Sequence, residues 1–237
     1  MTVAVIIGAA GGIGRALTMA IAAEGSFDTV VALSRSAIPF PRPIRSAAID
    51  ITNEASIAAA AKAASLEGVI SLIVVATGIL HGPNIQPEKA LRALDPSTMA
   101  TVFAVNTIGP ALVAKHFVPL LARSERSVFA VLSARVGSIE DNRLGGWYSY
   151  RASKAALNQI LRTLAIETRR THPGAIVVGL HPGTVRTGLS HPFRPDETTP
   201  GVFAPEESAA YLVEVLKTLK LSDSGKVFAW DGTCVPA

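Results

Sequence analysis

The strongest constraint on this chain lies in its first fourteen residues. Val3-Ala4-Val5-Ile6-Ile7 is a short, unbroken apolar run, the pattern of a strand buried on both faces. Gly8-Ala9-Ala10-Gly11-Gly12-Ile13-Gly14 follows at once, and a helical stretch then reads to about Glu24. Strand, glycine-rich turn and helix in that order open a βαβ unit, which commits the chain to a parallel sheet. The glycines have separate uses. Gly8 permits a tight turn, Gly12 lets the backbone approach a pyrophosphate, and Gly14 lets the helix pack close to the strand. With Gly11 and Ile13 between them, free N–H groups at the helix start face an anion.

The rest of the chain repeats the alternation. Strands are expected at Thr29–Leu33, Ala47–Ile49 (ending at Asp50), Val69–Ala76, Ser127–Leu132, Ala175–Leu180 and Lys226–Trp230. Helices are expected from Thr52 to about Ala64, Ser97 to Ala122, Ser149 to Arg170 and Glu206 to Leu219, with Pro110 kinking the second of these. Residues 38–43 and 78–96 read as loops, and 182–205 as a flap. With 49% hydrophobic and 17% charged residues, the chain has ample material for a core. Aromatics are only 5%, so small and β-branched residues must fill that core, as suits a sheet with helices on both faces. No linker or repeat interrupts residues 1–237, and one domain is expected.

Other function classes recede. The net charge is +4, but the basic residues are scattered, so no nucleic-acid partner is expected. Cys234 is the single cysteine, and His81, His116, His172, His181 and His191 lack metal-ligand spacing, so no metal is expected either. The chain is expected to open on a strand rather than a signal peptide, and no apolar stretch is expected to approach the length needed to span a bilayer. A cytoplasmic protein without a membrane partner is the expectation.

Two further sites carry chemistry. An NAD site places Asp or Glu at the end of the second strand. Here Leu33-Ser34-Arg35-Ser36 has no acid, and Arg35 with Ser34 suits a 2′-phosphate, the plain alternative being a surface arginine. Tyr150 and Lys154 stand four apart and so share a helix face. A tyrosine of pKa about 10 exchanges protons poorly near neutrality, and an adjacent ammonium lowers that value. Alone, the pair would pass for surface decoration.

In company, the motifs resemble those of the short-chain dehydrogenases/reductases along essentially the whole chain. Gly8-x-x-x-Gly12-Ile13-Gly14 resembles the family's cofactor turn. Asp50, next to Ile51, resembles the acid that holds the adenine ring, and Ala76-Thr77-Gly78 a variant of the motif after the fourth strand. Asn106 resembles the helix asparagine that anchors a water relay, Tyr150 and Lys154 the Tyr-x-x-x-Lys pair, and Pro182-Gly183-Thr184-Val185-Arg186-Thr187 the segment clasping the nicotinamide. Residues 135–147 and the ending Gly225-Lys226-Val227-Phe228 with Asp231-Gly232 are similar to the C-factor/sniffer subgroup, related to carbonyl reductases. The resemblance implies a doubly wound (Rossmann) α/β fold with seven parallel strands in the order 3-2-1-4-5-6-7. It implies an oxidoreductase using NADP, with a carbonyl or alcohol substrate and a homodimer or homotetramer built on the two long helices.

One departure stands out. Where the family has Ser-Ser-x-x-Gly after the fifth strand, this chain has Ser133-Ala134-Arg135-Val136-Gly137. Ala134 occupies the position of the serine that hydrogen-bonds the substrate carbonyl. Ser133 points away unless a bulge turns it, because adjacent strand residues face opposite sides. Either Ser133, Ser138 or a water takes the role, or turnover is slow. The second class of function is therefore an NADP-binding signalling or sensor protein. Trp147 and Tyr148 are candidates for a pocket wall or for packing, and Leu189, Pro192 and Phe193 for a cover over an apolar substrate.

Overall fold

All seven strands of the main sheet run parallel in the computed structural model, which describes residues 1–193 and 202–237. They are β1 (Thr2–Ile7), β2 (Thr29–Ser34), β3 (Arg45–Ala48), β4 (Val69–Val75), β5 (Ser127–Leu132), β6 (Ala175–His181) and β9 (Val227–Ala229). A short ribbon, β7 (Thr184–Val185) beside β8 (Val202–Phe203), intervenes. The order β3-β2-β1-β4-β5-β6-β9 is the one expected, with β9 as the seventh strand. β3 begins two residues earlier than anticipated: it is an edge strand, largely exposed, so its sequence carries little apolar signal.

Two cores form because successive strand residues face opposite sides. Val3, Val5 and Ile7 of β1 join a core under α2 (Glu54–Ser65), α4 (Gly109–Phe117) and α5 (Tyr148–Thr171). Ala4 and Ile6 join the other, under α1 (Gly12–Glu24) and α6 (Pro205–Thr218). The helices start where local chemistry allows. Asn53 caps α2 by accepting from the Ser56 amide at 3.1 Å, and α1 ends at Gly25 in the left-handed region.

The expected long helix is interrupted, but ahead of its proline. It consists of α3 (Pro96–Phe103), a π-turn at Ala104–Ile108, α4, and a last 3-10 turn at Val118–Leu120. Pro110 has no N–H to give Asn106, four residues earlier, and its ring crowds that carbonyl; the widened turn accommodates both. The length of this run also corrects a sequence expectation. Pro96–Leu120 spans 25 residues and contains an 18-residue stretch with a mean hydropathy of 1.4, long and apolar enough to cross a membrane. The polar Asn106, Lys115 and His116 hide this from a search for unbroken apolar stretches. In this fold the run lies on the sheet, with Val113 and Phe117 wholly buried in the core.

The glycine turn works as its spacing implied at two of its three corners. Gly8 has φ +91°. A methyl group on Gly14 would overlap the Gly8 carbonyl oxygen, so α1 sits against the end of β1 at backbone contact. Gly12 differs: its missing side chain makes room for Thr187, 2.7 Å from where a Cβ would stand. Gly14→Ala should lower folding stability by about 1–3 kcal/mol, the usual cost of overpacking. Equilibrium denaturation checks this, with Gly188→Ala as a comparison at a site where a methyl meets nothing within 4 Å and φ is not positive.

Candidate active site

The C-terminal ends of the parallel strands open into a cleft of about 560 Å³. Nine residues singled out from the sequence line it together: Gly8 and Gly11 from the first turn, Ser34 and Arg35 after β2, Asp50 and Ile51 after β3, and Ala76, Thr77 and Gly78 after β4. They converge because every strand of a parallel sheet delivers its following loop to the same edge. Gly12, Ile13 and Gly14 lie in the first turn of α1 beneath them. Asp50 accepts from the Thr52 hydroxyl at 2.7 Å and from the Thr52 amide at 2.9 Å. Those bonds hold its carboxyl below the usual range, and the nearby Arg35 guanidinium adds to the effect. Ser34 is buried and donates to the Ser36 carbonyl at 2.8 Å, which fixes the turn carrying Arg35.

Gly78, in the lining of this cleft, lies beside Lys154 and Asn106. A side chain at Gly78 would stand 3.8 Å from Lys154 Nζ, 3.5 Å from Asn106 Oδ1 and 3.9 Å from Leu189. Tyr150 and Lys154 are both buried in the first two turns of α5. Lys154 Nζ donates to the Leu132 carbonyl at 2.8 Å and lies 5.9 Å from the Tyr150 ring centroid. The sequence expectation that the ammonium lowers the phenol pKa is not met in this arrangement. Burial pushes Tyr150 up to about 12 and Lys154 down to about 8. Loss of water disfavours both charged forms, and the ammonium lies over the ring, bonded to a carbonyl.

Asn106 is wholly buried in the π-turn, and its side chain is fully employed. Oδ1 accepts from the Ile79 amide at 2.8 Å, while Nδ2 donates to the Ile79 carbonyl at 2.9 Å and to Ser153 Oγ at 3.1 Å. This side chain clamps the loop after β4 onto α5. Ser133 points away, as the alternation of the strand requires: its hydroxyl donates to Asn158 Oδ1 at 2.6 Å. Ser138 is held by the Ala237 carbonyl at 3.1 Å. Neither hydroxyl takes the place that Ala134 leaves without a donor.

The segment after β6 closes around the far side. Val185 is buried, and Pro182 accepts from Ser208 Oγ at 2.8 Å. Gly183 packs against Phe203 and Trp230, and Thr187 against Gly12. The flap expected at 182–205 is described only as far as Phe193 and again from Val202; its residues 194–201 lie outside the described residues. Of the residues proposed as a cover, Phe193 meets Trp147 at 5.3 Å between ring centroids and His81 at 5.5 Å. Trp147 in turn stands edge-on to Tyr150 at 6.2 Å. His81 Nε2 bonds the Gly188 carbonyl at 2.9 Å, so this histidine ties the segment down across the cleft. His181 ends β6 with its Nδ1 buried and without a partner, and burial pulls its pKa down to about 4.

Sequence reasoning missed three residues here. Asn158 continues the face of Tyr150 and Lys154 at a further spacing of four, a signal that was available. Ser153 links Asn106 to the Tyr150 carbonyl, to which it donates at 2.8 Å. Glu88, buried beside Ser149, is 61 residues away in sequence and had no local signal.

Comparison with known proteins resolves the family. The model of the short chain dehydrogenase family matches residues 2–198. The chain belongs to the short-chain dehydrogenases. It is 37% identical over 147 residues to the C-signal protein of Myxococcus xanthus, covering 62% of this chain and 83% of that one. It is 32% identical over 185 residues to 1-hydroxy-2-glutathionyl-2-methyl-3-butene dehydrogenase of Rhodococcus sp. (strain AD45), covering 78% and 76%. Among solved structures, NADPH-bound carbonyl reductase from chicken fatty liver matches with TM-score 0.85 at 25% identity, covering 100% of this chain and 94% of that one. A short-chain dehydrogenase/reductase from Burkholderia multivorans with bound NADP matches with TM-score 0.81 at 27% identity, covering 100% and 99%. This short-chain dehydrogenase is an NAD(P)-dependent oxidoreductase similar to C-signal and to sniffer-like carbonyl reductases.

Burial of Lys154 has a consequence for stability. In the unfolded chain a lysine keeps its proton up to about pH 10.4, whereas here it loses it near 8. Between those values the unfolded state binds more protons, so stability rises with pH. Wild-type protein should gain roughly 2–3 kcal/mol between pH 8 and 10 relative to Lys154→Met, as read by urea denaturation across that range.

Proposed function

We propose that the protein reduces carbonyl compounds with NADPH, or oxidises the corresponding alcohols, and that Tyr150 is the general acid and base. The observation that carries this reading is the position of Gly78. It sets Lys154, whose Nζ lies 5.9 Å from the Tyr150 ring centroid, beside a cleft that is also lined by the glycine turn and Arg35. The residues fit a dinucleotide. Gly8 is held at φ +91° by the turn, Gly14 seats α1 so that its N-terminus faces the cleft, and Thr77 offers a buried hydroxyl that has no partner among the described residues. Arg35, with Ser34 fixing its turn and no acid at the end of β2, supports NADP over NAD.

The bound cofactor supplies the hydride in reduction and takes it in oxidation. Tyr150, a neutral phenol at pH 7, gives its proton to the carbonyl oxygen. Lys154 keeps its proton below about pH 8, and its ammonium then stabilises the phenolate left behind. Gly11 and the start of α1 hold the pyrophosphate, while Asp50 and Ile51 border the adenine end. Pro182, Gly183, Val185 and Thr187 hold the nicotinamide end. Trp147 and Phe193 wall the space beside Tyr150 against water and favour a flat, apolar substrate. The α4–α5 face, lined by Val118, Ile160 and Leu164, is the surface we assign to a homodimer or homotetramer.

The engagement of Ser133 with Asn158 favours a second reading, a protein that binds NADP but turns over slowly. Turnover separates the two. Mixing with NADPH and a panel of reactive carbonyls should consume NADPH, and Tyr150→Phe should abolish that consumption while leaving NADPH affinity intact. Binding with no turnover on any carbonyl would establish the slow reading. Preference for NADH in a fluorescence titration would overturn the role of Arg35. Ala134→Ser should raise kcat by about 10- to 100-fold, because it supplies a donor of the kind whose removal elsewhere costs 10²–10³.

A further inference from the structure

We propose that Glu88 is a positioning residue for Tyr150: it holds the start of α5 in place, and its charge sets how readily the phenol gives up its proton. The inference rests on Tyr150 being the acid and base group.

Helix α5 has an N-terminal problem that its own sequence does not solve. The first N–H groups of a helix have no partner within it, and a Ser, Thr, Asp or Asn at the cap normally supplies one. Here the cap is Trp147, which makes no side-chain cap bond and stands in the left-handed region at φ 52°. Gly145 and Gly146 precede it at φ 63° and 64°, so the chain enters the catalytic helix through three consecutive residues of positive φ. For a tryptophan that conformation is unfavourable and persists only where the surroundings enforce it.

Glu88 enforces it from a distant loop. Its carboxylate accepts from the Ser149 amide at 3.1 Å and, through its other oxygen, from the Ser149 hydroxyl. Its main-chain carbonyl accepts from the Trp147 amide at 2.5 Å. Both Glu88 and Ser149 are buried, at 3% and 2% exposure, so these bonds do not compete with water. Ser149 directly precedes Tyr150, and Trp147 carries the ring that stands edge-on to it. One residue therefore holds both: its carboxylate holds the turn that carries the phenol, and its main-chain carbonyl holds the residue that walls it.

The same carboxylate bears on the chemistry. The positive end of the helix and the Lys154 ammonium favour a phenolate in the first turn of α5, and a negative charge at that turn opposes them. Lys154 Nζ lies 5.9 Å from the Tyr150 ring centroid, Arg151 follows Tyr150 on the helix, and the Glu88 carboxylate is bonded to the residue before it. Arg151 turns to the carbonyls of Gly145 and Gly146, at 3.2 and 3.0 Å. Arg135 is drawn to Asp141, and His81 meets Tyr150 only through Phe193 and Trp147.

The test compares Glu88→Gln, which keeps an acceptor and a shape, with Glu88→Ala, which keeps neither. Alcohol oxidation is followed against pH, and carbonyl reduction at fixed pH, well below each variant's melting temperature. Glu88→Gln should move the rising limb of the oxidation profile to lower pH by about half to one unit, since loss of a neighbouring like charge eases ionisation of the phenol. Glu88→Ala should lower kcat for reduction by about tenfold or more through misplacement of Tyr150. NADPH affinity should stay within about twofold of wild type in both. A purely structural role lowers the melting temperature and leaves the limb where it was; an unmoved limb in Glu88→Gln overturns the proposal, and this arm stands even if Glu88→Ala fails to fold. Tyr150→Phe runs alongside. Full activity in that variant defeats the acid and base assignment itself, whereas an inactive Tyr150→Phe with unaltered Glu88 variants defeats only the inference about Glu88.

Discussion

Everything in the site turns on a lysine held inside the protein by one carbonyl. Lys154 is buried, its Nζ meets Leu132 O at 2.8 Å, and loss of water draws its pKa down to about 8. A buried ammonium is tolerable only with partners. The last carbonyl of β5 is such a partner because a parallel sheet ends its strands at one edge, where backbone groups run out of ladder. The same edge brings α5 across β5, so the phenol one turn earlier is buried with the lysine. A phenol pushed up to about 12 keeps its proton at neutral pH, because burial disfavours its charged form.

A set of neutral bonds surrounds this pair and keeps it in register. Asn106 grips both main-chain groups of Ile79 and reaches Ser153, while Thr107 donates to the Ser153 carbonyl at 2.8 Å. The loop after β4, the π-turn and α5 are thus tied at one point. The π-turn explains how a helix that contains Pro110 can present Asn106 inward. The apolar character of the Pro96–Leu120 run is used in part on the core, where Val113, Phe117 and Val118 are buried against the sheet.

Most of the fold was legible in the sequence because its signals are local. Gly8, Gly14 and the apolar run before them specify a strand and helix in backbone contact, and no distant residue is needed for that conclusion. The four-residue spacing of Tyr150 and Lys154 places them on one helix face whatever surrounds them. Strict alternation along β5 likewise turned Ser133 away from the position left by Ala134. Local geometry decided each of these, and local geometry is what a sequence writes down directly.

The tertiary structure alone decided the rest. The charge balance between Tyr150 and Lys154 depends on how much water each loses, and burial belongs to the assembled fold rather than to a spacing. Glu88 reaches Ser149 across 61 residues because a loop after β4 folds back over the start of α5. Asn106 clamps the loop after β4 because Ile79 lies within its reach. Sequence sets the residues and their local directions; contacts between segments far apart in the chain, and the solvent they exclude, exist only once the sheet has closed its edge.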